Sequence, residues 1–376
     1  MPKRNRFRAE FRKNRLGKPQ RSDWTRKVAA DDESKVESLP TNERVSGKGD
    51  RTRKRTVVGA VADEQTGLPV LLDIDLTVCR FGRVLSVHGL SSVVQTEDRT
   101  IFRCATRRLL KTISTDLRHV VVAGDWVWIR PSGESEGIIE RVEPRKGVLS
   151  RSIRNRRQVL VANVDQLMIV GSAAEPTLKA NLIDRFLVSA HQSHVRPLIV
   201  INKMDLVDPA EYQPLLGMYR QMGYEALLVS AANGWGIERL KRALAGTATA
   251  VCGQSGVGKS SLLNAIDPQL QLRTATVSAE NDKGRHTTTT ARLLPIASGG
   301  YVVDTPGIRQ FQLWDVIAAE VAGYFLDLRP YTNLCRFPNC THTHEADCAV
   351  KNAVADGRLD LRRYDSYCAM LAGEAA

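Results

Sequence analysis

Residues 253–260 read Gly-Gln-Ser-Gly-Val-Gly-Lys-Ser, which fits G-x-x-x-x-G-K-[ST]. The run follows the apolar stretch TATAVC and precedes SLLNAI, which reads as a helix start, so both pattern and context of a phosphate-binding loop are present. Gly253, Gly256 and Gly258 let the backbone turn tightly. The N–H groups of the loop through Ser261, those of Gln254, Ser255 and Val257 included, can then be aimed at phosphate oxygens. Lys259 would reach the β and γ phosphates, and Ser260 would offer its hydroxyl to magnesium.

The base is a separate question. Asn202-Lys203-Met204-Asp205 stands directly after the apolar run PLIVI, where a ligand at the C-terminal edge of a parallel sheet would meet it. A carboxylate there can accept from the N1–H and exocyclic amine of guanine, groups that adenine lacks, so Asp205 selects GTP over ATP. Lys203 would cover the base with its stem, and Asn202 would hold the two loops together. Ser230-Ala231, at the end of ALLVSA, would present a backbone N–H to the guanine carbonyl oxygen.

Asp304-Thr305-Pro306-Gly307 follows YVV and reads as a DxxG element: Asp304 holds magnesium through a water, and the Gly307 N–H senses the γ phosphate. Ahead of it lies Lys283-Gly284-Arg285-His286-Thr287-Thr288-Thr289-Thr290, in the position of a first switch. One threonine, Thr288 or its neighbour Thr287, should ligate magnesium. Four consecutive threonines also suit a plain strand. The order of these motifs matters. The base motifs at 202 and 230 precede the phosphate loop at 253, the threonines and DTPG, whereas ordinary small GTPases run the other way round. The set is therefore complete but circularly permuted, which is tolerable when the original termini are neighbours. The second switch then leads into a C-terminal stretch containing Cys335, Cys340, His342, His344 and Cys348. Three thiolates and one imidazole suit tetrahedral structural zinc, with either histidine as the nitrogen ligand.

The scaffold beneath these groups follows from the hydrophobic texture of the chain. From Gln166 onward, QLMIVGSA, PLIVINK, ALLVSA, TATAVCG and YVVDTPG read as buried parallel strands, with LKANLIDRFLVSA and GIERLKRAL as amphipathic helices between several of them. Between about 80 and 147, five short alternating runs separated by glycine or charged turns suggest a small antiparallel barrel. Arg83, Arg103, Arg107, Arg108, Lys111 and Arg118 on or near it could form a nucleic-acid platform or merely solvate the surface.

The 376 residues carry 54 Lys or Arg against 41 Asp or Glu, a formal charge of +13. Residues 1–30 hold eleven of the basic residues against Glu10 and Asp23, a local +9 that suits a polyanion and reads as a largely flexible basic arm. No run approaches a membrane span and no signal-peptide pattern opens the chain, so a cytoplasmic protein without membrane attachment is the expectation. The expected organisation is a basic extension over 1–75, a barrel over 76–150, a permuted α/β GTPase unit over 151–320 and a small zinc-binding unit with a C-terminal helix over 321–376.

The motif order, GRHTTT, DTPGIRQF, the barrel and the C-x-F-x-x-C-x-H-x5-C run together resemble the ribosome small subunit-dependent GTPase A family over about residues 80–370. The resemblance implies an OB-fold barrel contacting 16S rRNA, a circularly permuted P-loop GTPase domain, and a zinc site with His342 rather than His344. It also implies GTP hydrolysis that is slow alone, stimulated by the small subunit, and used in late 30S maturation. Residues 1–75 lie outside it. Many GTPases place a glutamine just after DxxG to orient the attacking water. This chain has Ile308, and His286 is the candidate to take over that role, as the resemblance also implies. Lys259 and Gly307 complete the catalytic set. A nucleotide-gated RNA-binding switch and a protein-signalling GTPase are the alternatives; DNA is not an expected partner, and no dimerisation element is evident, so a monomer is expected.

Overall fold

The computed structural model describes residues 74–107, 110, 120–153, 156–274, 291–304 and 320–373, together with five short strands nearer the start of the chain. Those strands are β1 (Arg6–Glu10), β2 (Val45–Ser46), β3 (Lys54–Val58), β4 (Ala60–Ala62) and β5 (Val70–Leu72). β3 pairs antiparallel with β1 and β2, and β4 with β5, so some strand pairing falls within the segment expected to be largely flexible.

The next five strands are β6 (Arg80–His88), β7 (Ser91–Thr96), β8 (Ile101–Thr106), β9 (Trp126–Pro131) and β10 (Glu136–Val142). Alternation drives the closure: Val84, Val94, Phe102, Val127, Ile129 and Ile139 all point inward and are buried in one cluster. The ladder runs β6-β7-β8-β10-β9 and returns to β6, with β8 and β10 parallel, which is the five-stranded closed order of an OB-fold. Two of the arginines expected on its surface are instead consumed by packing. Arg83 is 5% exposed, and Arg107 pairs with the buried Glu140 at 2.6 Å. Arg103 is exposed; Arg108, Lys111 and Arg118 lie outside the described residues. The outer face carries aromatics in their place: Phe81 stacks on Trp126 with centroids 5.2 Å apart and leans on Trp128 at 5.1 Å.

A hairpin of β11 (Leu149–Ile153) and β12 (Arg156–Val161) forms from the basic connector. There follow β13 (Gln166–Ser172), α1 (Ala180–Gln192), β14 (Arg196–Asn202), α2 (Gln213–Gln221), β15 (Glu225–Leu228), α3 (Ile237–Leu244), β16 (Ala248–Cys252), α4 (Lys259–Ile266), β17 (Arg292–Pro295) and β18 (Tyr301–Asp304). The sheet order is β15-β14-β13-β16-β18-β17, with only β17 antiparallel. Every residue of β13 and β16 is buried, as central parallel strands covered on both faces require. One apolar layer gathers Leu167, Ile169, Phe186 and Ile199; the other gathers Met168, Val170, Leu240 and Leu262. β17 also meets β6, with Arg292 opposite Ser86, so barrel and α/β sheet share one eleven-stranded ladder.

The last part is short helices: α5 (Val321–Tyr324), α6 (Arg329–Thr332), α7 (Ala349–Ala355) and α8 (Leu361–Leu371). Arg363 of α8 is fastened to α1. It donates to Asp184, bonds both oxygens of Asp327 at 3.0 Å, and covers the Phe325 ring at 4.4 Å. Tyr219 completes the cluster by donating to Asp184 at 2.8 Å. A buried aspartate left without these donors would carry a desolvation cost of several kcal/mol. Among the described residues, no helix is long and apolar enough to cross a membrane.

Candidate functional site

The phosphate loop links the end of β16 to α4 at the C-terminal edge of the sheet. Glycine is required at two positions for reasons of space as well as backbone angle. Gly253 has φ +135°, and a Cβ there would stand 2.1 Å from the Val170 carbonyl oxygen; Gly258 has φ +88°, and its Cβ would stand 2.4 Å from Asn202 Nδ2. Val257 is buried beneath the loop, whereas Ser255 and Gly256 are exposed along its crest, flanked by the half-buried Gln254. Lys259 Nζ donates to the carbonyls of Gly253 and Gln254 at 2.8 and 2.6 Å, so its ammonium already lies over the loop. Ser260 and Ser261 follow in the first turn of α4, half-buried.

The base-motif residues end β14 and reach the same edge. Asn202 is 2% exposed; its amide donates to the Val257 carbonyl at 2.9 Å and its oxygen accepts from the Ala231 N–H at 3.1 Å. One side chain thus holds the phosphate loop and the Ser230-Ala231 turn. Lys203 takes φ +64° and sends its Nζ to the Glu175 carbonyl. Asp205 is exposed, and the buried Ser230 hydroxyl donates to it at 2.5 Å, fixing the carboxylate's orientation. An oriented, solvent-facing carboxylate beside a free edge suits two donors on the rim of a purine.

Asp304 ends β18, and β18 runs parallel to β16 with Val303 opposite Ala250. The chain positions of Ser260 and Asp304 therefore flank one sheet edge, an arrangement that fits a divalent cation between phosphate loop and second switch. His286, Thr287, Thr288 and Gly307 lie outside the described residues, as does the Asp304 side chain. Sequence reasoning overlooked the segment after β13. Pro176 comes within 3.5 Å of where a Gly256 Cβ would sit, and Glu175 supplies the carbonyl that engages Lys203. Its only local sign is a proline just past a strand end.

In the C-terminal part, the ligand atoms of Cys335, Cys340, His342 and Cys348 all lie within 4.8 Å of one another. Cys335 Sγ is 3.3 Å from His342 Nδ1 and 3.8 Å from Cys348 Sγ. Three soft thiols and an imidazole nitrogen converging on one point fit a tetrahedral zinc site. Burial lowers the pKa of His342, favouring the neutral ligating form, and raises the Cys340 thiol to about 12, a value that a bound cation would reverse. His344 is not part of the cluster: its side chain is 82% exposed and its Nδ1 meets the Thr343 hydroxyl. The loop is held from behind by Tyr364 donating to the His342 carbonyl and Tyr367 to that of Thr341, both at 2.8 Å.

The family model described as RsgA GTPase matches residues 142–314. A small ribosomal subunit biogenesis GTPase RsgA of Sodalis glossinidius (strain morsitans) is 41% identical over 292 residues, covering 76% of this chain and 83% of that protein. Its namesake from Chlorobaculum parvum (strain DSM 263 / NCIMB 8327) is 39% identical over 302 residues, covering 77% and 96%. Among solved structures, YjeQ from Thermotoga maritima matches with TM-score 0.66 at 36% identity, covering 78% of this chain and 98% of that one. YloQ, a circularly permuted GTPase, matches with TM-score 0.63 at 30% identity, covering 78% and 94%.

Proposed function

The chain belongs to the RsgA GTPase family, and from that premise we propose that it hydrolyses GTP to GDP and phosphate on the small ribosomal subunit during its maturation. The observation that carries this reading is Asn202 bridging Val257 and Ala231, because it brings phosphate recognition and guanine recognition to one sheet edge.

In this reading the loop N–H groups from Gly253 to Ser261 hold the phosphates. Lys259 exchanges the Gly253 and Gln254 carbonyls for β and γ oxygens. Asp205, steadied by Ser230, accepts from the guanine N1–H and amine, Lys203 covers the ring, and the Ala231 N–H shares its hydrogen between Asn202 Oδ1 and the guanine carbonyl oxygen. Ser260, Asp304 and a switch threonine, Thr288 or Thr287, would hold magnesium, which supplies charge neutralisation at the β and γ oxygens. Gly307 contacts the γ phosphate through its N–H, and His286 orients the attacking water in place of the glutamine that Ile308 replaces. Turnover is then slow until a partner brings His286 to the γ phosphate. The Cys335–Cys340–His342–Cys348 cluster would hold a structural zinc, whose closure of four ligands would stiffen residues 321–373. The barrel of residues 76–150 contacts 16S rRNA.

The test is GTP turnover by purified protein, alone and with small subunits, large subunits or free RNA, with ATP as competitor. Stimulation confined to small subunits and GTP is expected. Guanine-specific turnover indifferent to ribosomal particles overturns the partner and leaves a GTPase acting elsewhere.

A further inference from the structure

Arg83 projects from β6 into the joint between barrel and α/β sheet. Its guanidinium lies between two rings, 4.9 Å from the centroid of Trp126 on β9 and 4.9 Å from that of Tyr301 on β18. One terminal nitrogen donates to the Asn163 carbonyl at 2.6 Å, while Nε is buried with no hydrogen-bond partner. Among the described residues it makes no ion pair, and the Asp165 carboxylate that favours its charge from farther away is engaged by the Ala248 N–H at 2.8 Å. A desolvated cation held chiefly by ring faces keeps its place through geometry, so it fixes the separation of those rings.

Tyr301 is held by the barrel a second time. Its hydroxyl donates to Gln95 Oε1 on β7 at 2.9 Å. The same residue opens β18, which ends at Asp304. Between β6 and β18 runs β17, with Arg292 opposite Ser86 on one side and opposite Asp304 on the other. Ser86, Arg292 and Asp304 therefore stand in one row across three strands. Three residues back along β6 and β18, Arg83 and Tyr301 face each other. β17 leaves the threonine segment and β18 enters DTPG, so both strands that bound the switch segments are fastened to the barrel at this joint.

We propose that Arg83 is a positioning residue for GTP hydrolysis: by clamping Tyr301 against Trp126 it sets the placement of β18, and a load applied to the barrel reaches Asp304, at the end of that strand, through the clamp. This rests on the reading that the site hydrolyses GTP and is stimulated by the small subunit. Arg83 touches neither nucleotide nor reacting atoms in this scheme. Its effect belongs in stimulated turnover rather than in binding.

The experiment measures stimulated GTP turnover of the full chain with purified small subunits, together with the affinity for a fluorescent GDP analogue. The variants are Arg83→Met, Tyr301→Leu, the double variant and Tyr301→Phe. Arg83→Met and Tyr301→Leu should each lower stimulated kcat about tenfold, with KM for the subunit and GDP affinity within about twofold of wild type. The double variant should fall no further than the weaker single, because both remove one interaction. Tyr301→Phe keeps the ring face and should stay within about threefold. If Arg83→Met does not fold, Arg83→Lys, which keeps the charge and loses the planar stack, should show a loss of about threefold. Retained kcat, losses that multiply in the double variant, or a loss confined to KM for the subunit overturns the proposal alone. A wild-type chain that small subunits do not stimulate overturns the underlying reading and this proposal with it.

Discussion

Asn202 donates its side-chain amide to the carbonyl of Val257 at 2.9 Å, a bond spanning 55 residues of chain. With 55 residues of chain between base motif and phosphate loop, no short covalent path holds the two loops in register, and this contact does. Both partners are 2% exposed. Asn202→Ala leaves the buried Val257 carbonyl without its donor, which costs about 1–3 kcal/mol, and removes the acceptor of the half-buried Ala231 N–H. Guanine nucleotide affinity should fall about tenfold to a hundredfold, a range that this energy sets. Asn202→Asp keeps the size but cannot donate to Val257, and should be nearly as weak. Titration with a fluorescent GDP analogue reads both.

Asp205 points a hydroxyl-oriented carboxylate into solvent at the sheet edge. In Asp205→Asn the amide turns one acceptor into a donor, which opposes the guanine exocyclic amine, while the remaining oxygen still accepts from N1–H, and so suits a base bearing a carbonyl at C2. Affinity for GTP should drop at least about a hundredfold, as expected when a polar-recognition site meets the wrong partner, while xanthosine triphosphate gains. Competition between the two nucleotides for the variant decides the matter. Unchanged preference removes Asp205 from base recognition.

His342 and His344 are separated by one residue, yet only His342 faces the three thiols. His342→Ala should lose bound zinc and loosen residues 320–373, whereas His344→Ala should keep both. Metal content by elemental analysis and protease sensitivity of the C-terminal part distinguish the two. Chelation of the wild type should mimic His342→Ala, since four ligands closing one ion contribute much of the order of so small a module.

The placing of the phosphate-loop and base motifs at strand ends, their permuted order and the gathering of three cysteines with a histidine were legible because each rests on a local pattern of adjacent residue types. The parallel strands were legible for a similar reason: β13 and β16 are buried throughout and apolar but for Gln166, Ser172 and Thr249, as burial on both faces favours. What escaped were relationships made only by the tertiary fold. Arg83 has the residue type of a surface, and nothing near it in sequence announces that Trp126 and Tyr301 will enclose it. The joint of β6 with β17 rests on the pairing of Ser86 with Arg292, which leaves no periodic trace. Arg107 was likewise consumed by Glu140, a partner 33 positions away. Spacing alone left His342 and His344 both open and only the resemblance favoured His342; the positive φ of +59° there is a turn that spacing cannot specify.

Asp360 caps α8, the helix that carries Arg363 to Asp184, by accepting from the Arg362 N–H at 2.9 Å. The Arg362 side chain bonds the same carboxylate at 2.7 and 3.0 Å. That side-chain bond, more than the helix N–H, holds the Asp360 pKa below its ordinary 3.8. The sign follows from linkage. A carboxylate whose folded pKa is depressed adds stability that is fully present above its unfolded pKa and is lost as pH falls through the folded value. Asp360→Ala should therefore cost about 1 kcal/mol near neutral pH, the usual value of an N-cap. The gap in melting temperature from wild type should narrow as pH is lowered from about 5 toward 3, across the unfolded carboxylate range. A gap that stays constant over that window means that the ionised form of Asp360 adds nothing to the fastening of α8 onto α1.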